Sequence, residues 1–114
     1  MATPHHAATR MTILVGDSDR WHHKSLVGEI VHRAQALGLA GATVIHGIEG
    51  YGAHRLIHTD RFLSLSEDLP AMIVIVDEDE RIRTFLAELD QLIGEGLVML
   101  DPVEVIHYTS AEPV

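Results

Sequence analysis

One pattern occurs twice along this chain: two strand-like apolar runs bracketing a stripe of apolar residues at helical spacing. In the first half, the run at residues 11–15 is closed by Gly16-Asp17-Ser18-Asp19, whose small polar side chains favour a turn. From about His23 the period lengthens. Leu26, Ile30, Ala34 and Leu37 recur at spacings of three and four, with Val27 and Val31 widening the stripe, which predicts an amphipathic helix. Gly38 ends that helix, and Leu39 is placed to fold back on its last turn in a Schellman end. The run at residues 42–49 completes the half, with Val44 and Ile48 on one face and Thr43, Ile45 and Glu49 on the other.

The second half starts at Pro70. Residues 71–76 form a run that is apolar on both faces, Met72, Val74 and Val76 against Ile73 and Ile75. Asp77, Glu78, Asp79 and Glu80 then place negative charge at the positive end of a helix whose buried stripe is Ile82, Phe85, Leu86, Leu89 and Ile93 and whose stop is Gly94. The last strand lies between Leu97 and Tyr108. Asp101-Pro102 is expected to break it, because proline lacks the donor a central ladder needs, leaving residues 103–108 as the main strand on a sheet edge.

The order βαββαβ predicts an α+β, ferredoxin-like sandwich: a four-stranded antiparallel sheet with two helices on one face. Two helices shield only one face, yet the first and third strands are apolar on both. Each exposed aliphatic side chain forgoes about 1.5–3 kcal/mol, so another subunit is expected to cover the open side.

A chain of 114 residues supports one core, read here as a disordered leader (1–10), a domain (11–108) and a tail (109–114). The formal charge of −9, with no run of Lys and Arg, excludes nucleic acid as the expected partner. The absence of cysteine excludes disulfides and thiolate chemistry. No apolar run approaches the ~20 residues that span a bilayer; a cytoplasmic location without membrane insertion is expected.

The connection between the second and third strands is several times longer than a hairpin turn, which marks it as the functional surface. Gly47, Gly50 and Gly52 follow a strand without opening a helix, so they are neither a P-loop nor a dinucleotide fingerprint. Either they bend the strand and supply positive φ, or they let bare backbone approach a ligand. Arg55 and Arg61 are the positive charges of the loop and suit phosphate or carboxylate, unless they only pair with Glu67 and Asp68; Tyr51 offers a ring to cover a base. The expected ligand is therefore small and anionic, and its binding is expected to order the loop. Nine histidines raise a metal reading, with His54 and His58 as loop candidates, His46 and Glu49 before them and His22-His23 after the first strand. None of these sets has convincing ligand spacing. His5 and His6 read as solvated tail and His32 as an exposed helix position. Ser64, Ser66, Glu67 and Asp68 have no assignable base or oxyanion partner, so no catalysis is expected of them. Trp21, the only tryptophan, reads as a lid over the first helix, with stacking on a ligand as the alternative.

Trp21-His22 after Gly16-Asp17-Ser18-Asp19, then Gly47-Ile48-Glu49-Gly50-Tyr51-Gly52, His58-Thr59, Leu65-Ser66-Glu67-Asp68-Leu69-Pro70 and Ile75-Val76-Asp77 occur in fixed order. Together they resemble the "domain of unknown function 190" family, DUF190, over residues 10–108. That family is described as PII-like, and the resemblance implies a ferredoxin-like fold, a homotrimer and a non-enzymatic signalling or regulatory role. In PII proteins a mobile loop joins strands two and three and an adenine nucleotide lies in the cleft between subunits. The resemblance thus implies a ligand site, an adenine nucleotide or another small anionic effector, at Gly47, Glu49, Gly50, Tyr51, Gly52, Arg55, His58 and Arg61 and at Gly94 and Gly96. It also implies a regulated partner, a membrane transporter or channel or an enzyme. The sequence departs from PII where a glycine- and lysine-rich phosphate loop is reduced to Gly94-Glu95-Gly96, which argues against ATP held in the PII manner. The alternatives carried forward are a CutA-like trimer binding divalent metal through loop histidines and an enzyme built in the intersubunit clefts.

Overall fold

The structure, a computed structural model, describes residues 5–51 and 69–110. Its main sheet has four strands in the order β4-β5-β1-β6, every neighbour antiparallel: β1 His6–Gly16, β4 Thr43–His46, β5 Pro70–Asp77 and β6 Leu97–Val105. Two helices, α1 Leu26–Ala36 and α2 Asp79–Leu89, connect them, and a separate hairpin, β2 Arg20–Trp21 with β3 Lys24–Ser25, precedes α1. This is the ferredoxin-like arrangement expected from the element order.

Alternation along the strands puts Met11, Ile13 and Val15 of β1 and Ala71, Ile73 and Ile75 of β5 on the helix side. There they form one core with Leu26, Val27, Ile30 and Ala34 of α1 and Ile82, Phe85 and Leu89 of α2. The opposite face carries the residues in register with each other. Leu14 lies between Met72 and Leu97, Thr12 between Val74 and Met99, and Arg10 between Val76 and Asp101, while Thr43 and Ile45 extend the face through Val74 and Met72. Ile45, Leu97 and Met99 are 47%, 53% and 43% exposed on it. The apolar open face expected from the sequence is therefore present on the described strands.

Several boundaries differ from expectation. The leader expected over residues 1–10 is strand from His6 onward, because β6 is long enough to pair it, His6 opposite Val105 and Ala8 opposite Val103. His5 and His6 are exposed, as expected, but are not loose tail: His5 Nδ1 lies 2.9 Å from Glu104 Oε2, and the His6 and His107 rings stack at 5.7 Å. Helix α1 starts three residues later than expected, since Arg20–Ser25 is taken up by the hairpin. His22 (φ 50°) and His23 (φ 68°) form its turn, both left-handed as a two-residue type I′ turn requires. The Ser25 hydroxyl caps α1 by accepting from the Gly28 amide at 3.1 Å. At the other end Leu39 N–H donates to Ala34 C=O and Gly38 N–H to Gln35 C=O, with Gly38 at φ 78°. That is the Schellman end read from the sequence.

Strand β4 stops at His46 rather than residue 49, because the chain folds over Pro70, whose carbonyl accepts from Gly47 N–H at 2.7 Å. Helix α2 begins at Asp79 and its regular turns end at Leu89, five residues before Gly94. Strand β6 is continuous through Asp101-Pro102 and ends at Val105, not Tyr108. It is an edge strand, as expected, and an edge has a side that donates nothing to the sheet, so a proline fits without interrupting it.

Candidate ligand site at the mouth of the long connection

The end of the sheet from which the long connection departs gathers the C-termini of β1 and β4 and the N-termini of β5 and β6. Asp17 N–H donates to Leu69 C=O at 2.8 Å, tying the end of β1 to the return of the connection. Gly16 N–H donates to Asp19 Oδ2 at 2.8 Å and Leu26 N–H to Asp19 C=O at 2.9 Å. Asp19 thus joins β1 to the start of α1. Across the mouth, His46 Nδ1 sits 2.7 Å from Asp17 Oδ1, a contact between residues exposed to different degrees, 62% for the imidazole and 23% for the carboxylate. Beyond it Ile48 is 93% exposed and Tyr51 70% exposed, so an aliphatic and an aromatic side chain lie bare where the connection begins.

The glycines here answer to close approach rather than to backbone hand. Among the described glycines only Gly38 has positive φ, so the expectation that Gly47 and Gly50 supply it is corrected. A Cβ on Gly47 would lie 2.6 Å from Pro70 Cγ and 3.1 Å from Pro70 O, and one on Gly50 would lie 3.1 Å from Pro70 Cγ. Gly96 is equally hemmed in, 2.9 Å from Leu14 O and 3.0 Å from Val15 Cγ1, whereas Gly94 faces open space. Gly47 and Gly50 therefore pack over Pro70 and Gly96 against β1; of the candidate glycines described, Gly94 alone is unconstrained by neighbours.

Of the remaining candidates, Glu49 and Tyr51 stand at the mouth on the exposed side. Gly52, His54, Arg55, His58 and Arg61, and the serines and carboxylates at 64, 66, 67 and 68, lie outside the described residues. The described carboxylates at this end, Asp17, Asp19, Glu49 and Glu95, make it acidic. Among the described residues no group of three or more His, Asp or Glu is placed to hold a metal ion. His22 instead stacks on Trp21 at 4.1 Å, and the Arg33 guanidinium lies 5.0 Å from the Trp21 ring on a side chain that packs against the core. Trp21 is the lid expected over α1. The Asp17–His46 contact was invisible in the sequence: it joins two residues 29 apart through a strand order that no local pattern encodes.

Two carboxyls at the start of α2 depart from ordinary behaviour. Burial pushes the Asp77 carboxyl up, but the amides of Glu78 and Ala40 and the Arg81 guanidinium outweigh it and hold it below the usual carboxylate range. Asp79 is held low by the Thr9 hydroxyl, donating at 2.7 Å, and by Arg83. Both pin the start of α2, one to the α1–β4 turn and one to β1.

Against this geometry, the comparison with family models matches residues 8–105 to DUF190, described as "Uncharacterized ACR". The chain belongs to the DUF190 family. Two relatives bear the same name, UPF0166 protein. One from Aquifex aeolicus is 34% identical over 97 residues, covering 85% of this chain and 91% of the relative. One from Methanocaldococcus jannaschii is 31% identical over 96 residues, covering 83% and 88%. Among solved structures, this DUF190 chain resembles CPII of Thiomonas intermedia K12 with TM-score 0.65 at 15% identity, over 90% of this chain and 92% of that one. It resembles a PII-like signaling protein of Thermus thermophilus with TM-score 0.63 at 14% identity, again over 90% and 92%. At such identities the likeness shows the fold alone, which this chain shares with them. Among the described residues no helix is long and apolar enough to cross a membrane.

Proposed function

We propose that this chain is a non-enzymatic PII-like regulator that assembles as a homotrimer through its open sheet face. It holds a small anionic ligand, with an adenine nucleotide as first candidate, where the long connection leaves the sheet, and passes that state to a partner protein such as a transporter, channel or enzyme. The observation that carries the reading is the open face: a row of apolar residues, Ile45, Met72, Leu14 and Leu97, on the side of the sheet that neither helix covers. Leaving such side chains wet forgoes about 1.5–3 kcal/mol apiece, and a closed ring of identical copies removes them from water. The ligand class is supported by CPII, which shares the fold and whose structures are described as bound to ADP, AMP and acetate and to ADP and bicarbonate. The exposed Tyr51 ring at the mouth suits a base, and Arg55 and Arg61 suit a phosphate or carboxylate.

Two measurements test this. Light scattering of the purified chain should give three times the chain mass; a monomer at all concentrations removes the assembly. Calorimetry with AMP, ADP, ATP and cyclic AMP, alone and with bicarbonate, should find a nucleotide that also protects the bonds after Arg55 and Arg61 from trypsin. Arg55→Ala with Arg61→Ala should weaken binding about tenfold or more, each guanidinium-to-anion hydrogen bond being worth ~1.5–3 kcal/mol. Retained affinity in that double variant places the ligand elsewhere. A hydrolase and phosphatase screen should stay at background.

A further inference from the structure

The open face is apolar at its mouth end, but an ion pair lies farther along it, between β1 and the edge strand β6. Arg10 Nε donates to Asp101 Oδ1 at 3.2 Å and Arg10 Nη2 to Asp101 Oδ2 at 2.8 Å, a two-pronged contact between directly paired residues of β1 and β6. The register surrounds it with uncharged neighbours: Thr12 and Met99 on one side, Ala8 and Val103 on the other. The two side chains are 48% and 43% exposed in the single chain. We infer that Arg10 and Asp101 set the register in which copies of this chain assemble, by meeting the same pair of a neighbouring copy; the inference rests on the trimer reading above.

The argument is one of unspent capacity and of alternatives excluded. A guanidinium has five N–H donors and a carboxylate about four acceptor positions, so a contact using two donors and one lone pair on each oxygen leaves both groups able to bond outward. Each copy thus presents a cation and an anion side by side at the same level of the face. In a ring whose copies run parallel, those levels coincide, and the Asp101 of one copy can meet the Arg10 of the next. Packing offset along the strands would instead press the pair against apolar neighbours such as Leu14 and Leu97, where desolvation has no return. A polar group at one level of an apolar interface is known to select register and oligomer state at some cost in stability.

The test uses the whole chain and native mass spectrometry. In the double swap Arg10→Asp with Asp101→Arg the in-chain contact is kept with reversed polarity, so this variant should assemble with itself. Mixed with the wild type it should form no hybrids, because every contact between unlike chains would oppose like charges. In Arg10→Met with Asp101→Met the level becomes apolar, and the expected result is a mixture of oligomer sizes or registers in place of one species. Hybrids in statistical proportion, or a methionine variant that yields the single wild-type species, overturns the inference while leaving the trimer intact. If the swapped chain fails to fold, the methionine variant decides alone. A wild-type chain that is monomeric removes the assembly reading itself, and with it this inference.

Discussion

Gly47 and Gly96 show how a single missing Cβ can be dictated by packing where the sequence suggested a ligand loop. At Gly47 an added methyl would stand 2.6 Å from the Pro70 ring, and at Gly96 it would stand 2.9 Å from a backbone carbonyl oxygen; neither neighbour is the end of a flexible side chain. Gly47→Ala and Gly96→Ala are each expected to destabilise by ~1–3 kcal/mol through overpacking. Gly94→Ala, which meets nothing within 4 Å and has no positive φ, should stay within ~0.5 kcal/mol. Urea titrations of the three variants check this, and equal effects at all three would refute the packing account. The positions of these glycines were plain in the sequence but their reasons were not, because Pro70 reaches Gly47 only once β4 and β5 are paired. Arg10 and Asp101 illustrate the same limit: one was read as leader and the other as a strand breaker, and only the β1–β6 register makes them partners.

At the scale of elements, what carried through were features written locally. The two helical stripes, apart from Leu37, which caps α1 and is exposed, the Schellman end at Gly38 and the alternation of β1 and β5 each depend on residues within a few positions of each other. The elements that were missed depend on distant support. Residues 6–10, His-Ala-Ala-Thr-Arg, have no strand-like composition and are extended because β6 supplies their hydrogen bonds. The β2–β3 hairpin has a turn of two histidines with no Gly, Asn or Asp to announce it. The attachment of α2 to β1 through Asp79 and Thr9 is likewise nonlocal, and it predicts a pH dependence. The Asp79 carboxyl is held below its ordinary value, so its contribution is complete above the unfolded carboxylate value of about 3.9. It is lost as pH falls through the lower folded value. Asp79→Asn should therefore lower the melting temperature at neutral pH, and the gap to wild type should close as pH falls below the unfolded carboxylate value and through the lower folded one. A gap independent of pH would mean that the charge of Asp79 is not what holds α2.

For the whole molecule, the two faces of one sheet make opposite demands, and neighbouring residues of β5 separate them. Ile73 is fully buried among both helices' side chains, while Val74, the next residue, points to the open face between Thr12 and Thr43. An aspartate at position 73 would bury an unpaired carboxylate in the core. Removing a charge from water without a partner costs several kcal/mol, comparable with the 5–15 kcal/mol that keeps a typical domain folded. Ile73→Asp is expected to leave the chain unfolded or molten by circular dichroism. An aspartate at position 74 stays hydrated in a single chain and should leave the helical signal unchanged. On an assembled face, however, every copy would carry a like charge into the same apolar layer. Val74→Asp is therefore expected to give a folded monomer by light scattering, and to lose any ligand site that needs residues from two chains. Two results would count against this account: a Val74→Asp chain that keeps the wild-type mass shows that assembly does not use the open face, and one that melts as Ile73→Asp does shows that β5 cannot tolerate a charge on either side.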